Sequence, residues 1–594
     1  MKKQIFLAVA LLSTIATSCS DYLDRQPYNK IGSDEYFSSA DELQIYANGL
    51  YIAMMPSAED LTSSGSGTAD NIAVSATSSF LLPDFNVDKQ SGWTYGAWTN
   101  LYRCNYFLDN MGRARGKVAD EVLRHYEGVA RFWRAVFYFD KVKTYGNVPW
   151  YSHPIDAKDS VQLYKTRDDR ELVMDSVLAD LNYACQNLQT DKNYVITRYV
   201  ALALKSRVCL FEGTYRKYHA TNPSTGTPWK DATGSTRFLR ECVSASEELM
   251  ASGRYKLNTG SDNAYRQVFQ TETPNANEVI LAREYNADLM ATHNLTQKFN
   301  SAGNDTRRWS PTQEFVNTYL NRDGSRFTDQ KDYDKKTFVD NFKNRDLRLQ
   351  QTVISPTYLK NVNGTVKHYS PNWSVMMSGY QIIKFNLDDT YYEQTSRCTN
   401  AVPIFRYAEV LLNEAEAKAE LGEMTDAVWN KTIRPLRERA GVDGKAPTTA
   451  DPYMQAYFNG HCTDKWLLEI RRERGIELFM EADGMRYDDL MRWACGDMLA
   501  NKWSSIYIGE KNKAIDSDGD GTNDLIVVDK KPSKTDSKLF YIDLSKMTYY
   551  TWKDGRLMIK NEASWTDNKY LHPIPRAALV MNPNLKQNVG WENK

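Results

Sequence analysis

The sequence predicts a mostly α protein, built from tetratricopeptide-like helical hairpins that form a superhelical core wrapped by long loops and a few short strands. Three observations carry this. Residues 404–441 hold one apolar stripe at helical spacing, Ala408, Leu411, Leu412, Ala415 and Ala419, then Gly422, then a second periodic segment with Ala427, Ile433 and Leu436. Small alanines let a partner helix approach, and a glycine where the first helix should stop gives an αα-hairpin. Comparable periodicity recurs in at least six separate segments, whereas strand-like runs are short and isolated, as at Leu525 to Val528.

The run Leu467 to Trp493 predicts a further long helix. It carries Glu469, Glu473, Glu477 and Glu481 at four-residue spacing, with Arg471, Arg472 and Arg474 between them. A di-iron carboxylate site would need Glu-x-x-His pairs on facing helices, and none occurs in these segments. An ion-paired helix that holds the array together is the reading these residues favour.

At the start of the chain, Met1-Lys2-Lys3 is a cationic region, Ile5 to Leu12 an apolar one, and Ala16, Thr17 and Ser18 precede Cys19. Residues 1–18 thus read as a secretory signal, with Cys19 as the lipidated first residue of an exported lipoprotein. Ala16 stands where that pattern usually has Leu, which leaves cleavage without lipidation open. Elsewhere no apolar run is long enough to span a bilayer, so membrane attachment is expected through the lipid anchor only. With 74 Lys+Arg against 75 Asp+Glu and no basic run, there is no electrostatic footprint for nucleic acid. The cysteines after Cys19 are odd in number and lack a Cys-x-x-Cys pair, and the seven His are scattered, which argues against a disulfide framework, a zinc ribbon or a zincin helix.

After Cys19 come Ser20-Asp21-Tyr22-Leu23-Asp24, Pro27, Phe37, and a helix that Ser39 caps and that ends in Gly49-Leu50-Tyr51. Further on stand Arg131, Ala135, Tyr138 and Tyr145 before Gly146, and the entry Pro311 to Val316. The closing run has Pro573-Ile574-Pro575, Asn582-Pro583-Asn584-Leu585, Gln587-Asn588 and Gly590-Trp591. In these motifs the chain resembles the SusD/RagB family of outer-membrane nutrient-binding lipoproteins, and the likeness runs from Cys19 to Trp591. His572 departs from it, standing where the family more often has an aromatic. The resemblance implies one SusD/RagB-like domain over residues 19–594, with an N-terminal part at 19–220 and a C-terminal part at 280–594. It also implies a lipid-anchored outer-membrane protein facing the cell exterior. Such a protein captures oligosaccharides, without catalysis, and delivers them to a SusC-like TonB-dependent barrel. Peptide capture of the RagB kind is the alternative. An exported glycoside hydrolase is a further one, because acids separated in sequence can meet in space.

Residues 57–96 are rich in Ser, Thr and Gly without helical period, an excursion that compact folds keep for a reason. By the family's pattern, Asp70, Asn71, Trp98 and Asn105 are placed near a ligand, although Trp98 packing on its own helix is an equal reading. Trp309, on a loop before Pro311, is the second candidate platform, and Trp373 a poorer one of the same kind. The excess of aromatics, 37 Tyr and 14 Trp, suits a carbohydrate or peptide surface. Finally, Asp516, Asp518, Asp520 and Asp524 surround Gly521 in the spacing of an oxygen cage for structural Ca2+. Val527 stands where an EF-hand would have its last Glu, and a bare hairpin turn is the other reading.

Overall fold

The computed structural model describes residues 36–64, 69–156, 158–190, 195–301, 307–482 and 484–592. Cys19 and the leader therefore lie outside the described residues. The fold is mostly helical, as predicted. Helix α1 (Ala40–Met54) starts where sequence places it: Ser39 Oγ accepts the Glu42 amide, and the Glu42 carboxylate accepts the Ser39 amide. It packs on α2 (Thr99–Asn110) and α3 (Asp120–Tyr145).

The array continues in antiparallel pairs. Helix α3 packs on α4 (Arg170–Asn187), and α5 (Arg198–Tyr218) packs on α6 (Gly234–Ala251). In the second pair Gly213 permits the close approach, since a Cβ there would lie 2.8 Å from Leu239 Cγ. Helix α7 (Tyr407–Glu420) packs on α6 and on α8 (Asp426–Arg439), and Gly422, at φ +74°, makes the turn between α7 and α8.

The expected long helix after Leu467 is broken in two, α9 (Lys465–Glu477) and α10 (Met485–Arg492). Met480, Ala482 and Gly484 take positive φ between them, which no helix continues through. The break has a consequence for packing: α9 lies on α7 and α8, whereas α10 crosses to α5. Glu481 thereby leaves the helical row and meets Arg406 (2.6 Å) and Lys384 (2.5 Å).

Its former neighbours stay on α9, buried and paired with arginines that come mostly from other elements. Glu477 meets Arg406 at 2.5 Å, Arg348 at 3.0 Å and Arg439, while Glu473 meets Arg437 at 2.7 Å and Arg348 at 2.8 Å. Burial raises the Glu469 carboxyl, but Arg472 and Arg437 overcome it and hold it at about 2. The ion-paired reading of this helix holds, with most partners coming from outside it.

Among the described residues strands are at most five residues long. The widest sheet has three, Trp503–Tyr507, Tyr550–Lys553 and Arg556–Ile559. A second apolar cluster joins Phe80 and Phe85 of the early excursion to Phe458, Trp493 and the C-terminal Trp591. His572 stacks on Phe80 at 3.7 Å, so the one departure of the closing run is absorbed as a ring contact. The beginning and end of the chain are thus packed together, and the site is built where they meet.

Candidate functional site

Residues 93–102 turn into α2 through the short helix Tyr95–Trp98, which leaves Trp98 at the helix entrance. Gly92, at φ +97°, lets the chain pass Tyr145, whose hydroxyl donates to the Ser91 carbonyl at 3.0 Å. Trp93 then packs edge-on against both Trp98 (5.3 Å) and Tyr145 (4.9 Å). Trp98 continues the contact to Phe137 (5.6 Å) and Tyr151 (6.0 Å), with Lys141 Nζ 5.8 Å from its ring. Trp98 packs against residues outside its own helix and also lines a groove.

That groove has a volume of ≈ 490 Å³, within the range of small-molecule sites. One wall is Trp93, Tyr95, Trp98 and Tyr102; Tyr151 and Tyr164 form others. The far side comes from the closing run. Helix Arg576–Met581 presents Met581, 65% exposed, while Asn582 Nδ2 donates to the Lys165 carbonyl (3.0 Å) and Asn584 Nδ2 to the Tyr164 carbonyl (2.8 Å). The Asn-Pro-Asn-Leu motif thereby fastens the segment that carries Tyr164. Tyr95 is 89% exposed and Tyr164 51%, so rings face solvent where a ligand would lie.

Asn105 also lines this groove. Its Nδ2 donates to the carbonyls of Tyr151 (2.9 Å) and His153 (3.3 Å), and its Oδ1 accepts from Arg134 Nη1 (3.1 Å). With 1% of its surface exposed, it positions the groove wall. Arg134 is held in turn by Asp180 of α4 at 2.7 and 2.8 Å. A helix pair therefore sets the position of residues 151–153.

The other expected site residues do not reach this groove. Asp70 is 5% exposed, locked by Arg486 in a two-bond contact (2.6 and 2.8 Å) and by the Tyr457 hydroxyl (2.7 Å). It borders a separate polar pocket with Glu314, Tyr453, Tyr457 and Lys502. Asn71 is buried, its carbonyl accepting from the Thr312 amide at 3.1 Å. The early excursion and the loop before Pro311 do come together, because Ile72–Ala73 pairs with Ser310–Pro311. That pairing draws Trp309 inward: it is 3% exposed, with Lys298 and Arg307 over its ring at 5.7 and 5.4 Å. Trp309 offers no stacking face, and Trp373, also 3% exposed, offers none.

Each of the four aspartates in the 516–524 loop accepts hydrogen bonds from that same loop. Asp516 accepts the amides of Gly519 (2.6 Å) and Gly521 (2.8 Å), and Asp524 accepts Ser517 N and Oγ, both at 2.8 Å. Asp518 accepts the Asp520 amide (3.1 Å) and Asp520 the Thr522 amide (2.7 Å), and a carboxylate oxygen of each lies within 4.8 Å of the other. Tyr151, Tyr164 and Met581 were not singled out from sequence. The exposed apolar ends of two short helices, Leu163–Tyr164 and Val580–Met581, are the signal that could have pointed to them.

Relatives bear on this architecture. A SusD-like protein of Formosa agariphila is 24% identical over 522 residues, 83% of this chain and 92% of that protein. A solved SusD-like carbohydrate-binding protein of Bacteroides fragilis superposes with a TM-score of 0.64 at 17% identity, covering 93% of this chain and 99% of the other. A second SusD-like protein of the same organism gives 0.66 at 19%, over 95% and 100%. These superpositions show the fold. The model of the SusD family matches residues 277–591, more than half of the 594, and on that match the chain belongs to the SusD family.

Proposed function

We propose that this protein captures oligosaccharides at the cell surface in the groove of Trp93, Tyr95, Trp98, Tyr102, Tyr151 and Tyr164, and passes them unchanged to a SusC-like TonB-dependent barrel. The observation that carries the reading is the groove itself: six aromatic side chains, four of them tyrosines, around one solvent-open space. Sugar rings present apolar C–H faces and a girdle of hydroxyls, which such a surface matches. The Bacteroides fragilis relative described as carbohydrate-binding supports the ligand class.

Peptide capture is the second reading, since aromatic rings over an apolar floor also accept peptide side chains. Hydrolysis is disfavoured by the state of the acids in the polar pocket. Asp70 is spent on Arg486 and Tyr457, and Glu314 accepts from Ser504 N (3.1 Å) and Oγ (2.5 Å). The test is a screen of the mature chain, beginning at Cys19 replaced by Ser, against glycan and peptide collections with product analysis of the glycan samples. Binding to glycans without cleavage is expected. Binding to peptides alone, or release of shorter sugars, would reject the reading.

Attachment and delivery rest on Cys19 and on membership of the family. Among the described residues no helix is long and apolar enough to cross a membrane. Cys19→Ser should release the protein from outer-membrane fractions, and the native form should copurify with a TonB-dependent barrel. Retention of the variant in the membrane would count against the anchor.

A further inference from the structure

His368 belongs to no part of the groove, and its sequence context suggests nothing. It ends the strand Thr365–His368 of a two-stranded hairpin, opposite Leu359. The fold carries this hairpin to the Asp516–Asp524 loop, so that one ligand atom each from His368, Asp518 and Asp520 lie within 4.8 Å of one another. The imidazole is already oriented from behind: its Nε2 lies 2.9 Å from the Pro356 carbonyl. A carbonyl only accepts, so Nε2 carries the proton and Nδ1 keeps its lone pair. A histidine whose second nitrogen donates to a backbone carbonyl is the arrangement that fixes metal-ligating imidazoles.

The charges on the loop call for a cation independently. Asp518 is only 2% exposed, and Asp520 lies beside it. Among the described residues neither forms an ion pair with a lysine or arginine; the nearby Lys511 and Lys513 pair with Asp529 (2.5 Å) and Glu510 (3.6 Å). A carboxylate withdrawn from water next to another carboxylate is costly without a positive partner. Asp516 and Asp524 accept the amides and hydroxyl of their own loop, and Asp518 and Asp520 likewise accept the amides of Asp520 (3.1 Å) and Thr522 (2.7 Å), neutral donors that bring no positive charge.

We propose that His368, Asp518 and Asp520 bind a divalent transition-metal ion of the zinc class, which ties the Leu359–His368 hairpin to the aspartate loop. The imidazole decides the class. Calcium takes oxygen donors, whereas zinc accepts histidine nitrogen and aspartate oxygen together at about 2.0–2.2 Å. Tetrahedral bonds of that length place donors about 3.4 Å apart, so closure requires a small movement that the exposed Asp520 can make. Water completes the coordination on the open side. The proposal is independent of the glycan reading.

The experiment is titration of the chelator-stripped mature chain with Zn2+ by calorimetry, repeated with Co2+ to read its visible d–d bands, and with Ca2+. One Zn2+ per chain is expected, with millimolar Ca2+ failing to displace it. His368→Ala and Asp520→Asn should each weaken binding at least about tenfold. His461→Ala, which removes the exposed His–Asp pair with Asp497, should leave Zn2+ binding unchanged. Asp520 is exposed, so its variant keeps the test open should the histidine variant fail to fold. Zn2+ binding that survives Asp520→Asn, or that disappears in His461→Ala, would overturn the site. Stoichiometric Ca2+ binding indifferent to His368 would overturn the metal class.

Discussion

Trp98 and Asn105 lie about two helical turns apart, yet they act differently, because one is partly open to solvent and the other is buried. Trp98→Ala removes a stacking face, and an aromatic contact worth about 0.5–1.5 kcal/mol corresponds to roughly a three- to tenfold loss of glycan affinity. Asn105→Ala should instead cost about 1–3 kcal/mol of stability, since it leaves buried carbonyls and Arg134 short of a partner. Thermal unfolding separates the two: the Asn105 variant melts earlier even without ligand. A pH effect also belongs to single residues. Burial lowers His125, His219 and His572 to about 4 from 6.5. Each is neutral in the fold and binds a proton more readily when unfolded, so its contribution is complete above pH 6.5 and is lost as pH falls toward 4. The melting temperature should decline across that window, and His572→Phe should flatten the decline. Trp98 and Asn105 were legible in sequence as residues near the site; the locked state of Asp70 was not, because its partner Arg486 is 416 residues away.

At the scale of elements, the buried charges of α9 fix how the helical hairpins meet. Glu477 touches arginines from three separate segments, Arg348, Arg406 and Arg439. Glu477→Ala should cost about 3–5 kcal/mol, because it strands guanidiniums away from water. Replacing the whole set with apolar residues would be far gentler, so the network is evidence of specificity in packing more than of net stability. Glu469 and Glu416, both held at about 2 by arginines that outweigh burial, add an acid window. Their folded values are depressed, so their stabilisation is present above pH 4.5 and is lost as pH falls toward 2. Unfolding followed at pH 4.5, 3.5 and 2.5 checks this, and a flat profile would contradict it. Helical period exposed α7, α8 and the start of α9. It could not expose the break after Glu477, because Met480 and Ala482 are ordinary helix formers forced into positive φ by the packing of α10 on α5.

Over the whole molecule, the fold was legible because apolar periodicity survives in several core helices and because the closing motif carries fixed chemistry. Asn582 and Asn584 hold the Tyr164 segment, and Trp591 seals the early excursion against Phe85 at 5.9 Å. The site was legible only on one side. Its wall at residues 93–102 stood out as aromatic; its other walls come from residues 149–164 and 576–585, short pieces with no period whose meeting is a product of the complete fold. Trp309 failed as a platform for the same reason, since the pairing of Ile72–Ala73 with Ser310–Pro311 is invisible along the chain. The central claim is that this three-walled aromatic groove binds sugar. Its most direct measurement is the affinity of one screened glycan for the native chain, for Trp98→Ala combined with Tyr164→Ala, and for Trp309→Phe. Opposite walls contribute in the first variant, so its affinity should fall about tenfold or more, while the buried Trp309 variant should bind like the native protein. Native affinity in the double variant, or loss confined to Trp309→Phe, would contradict the account.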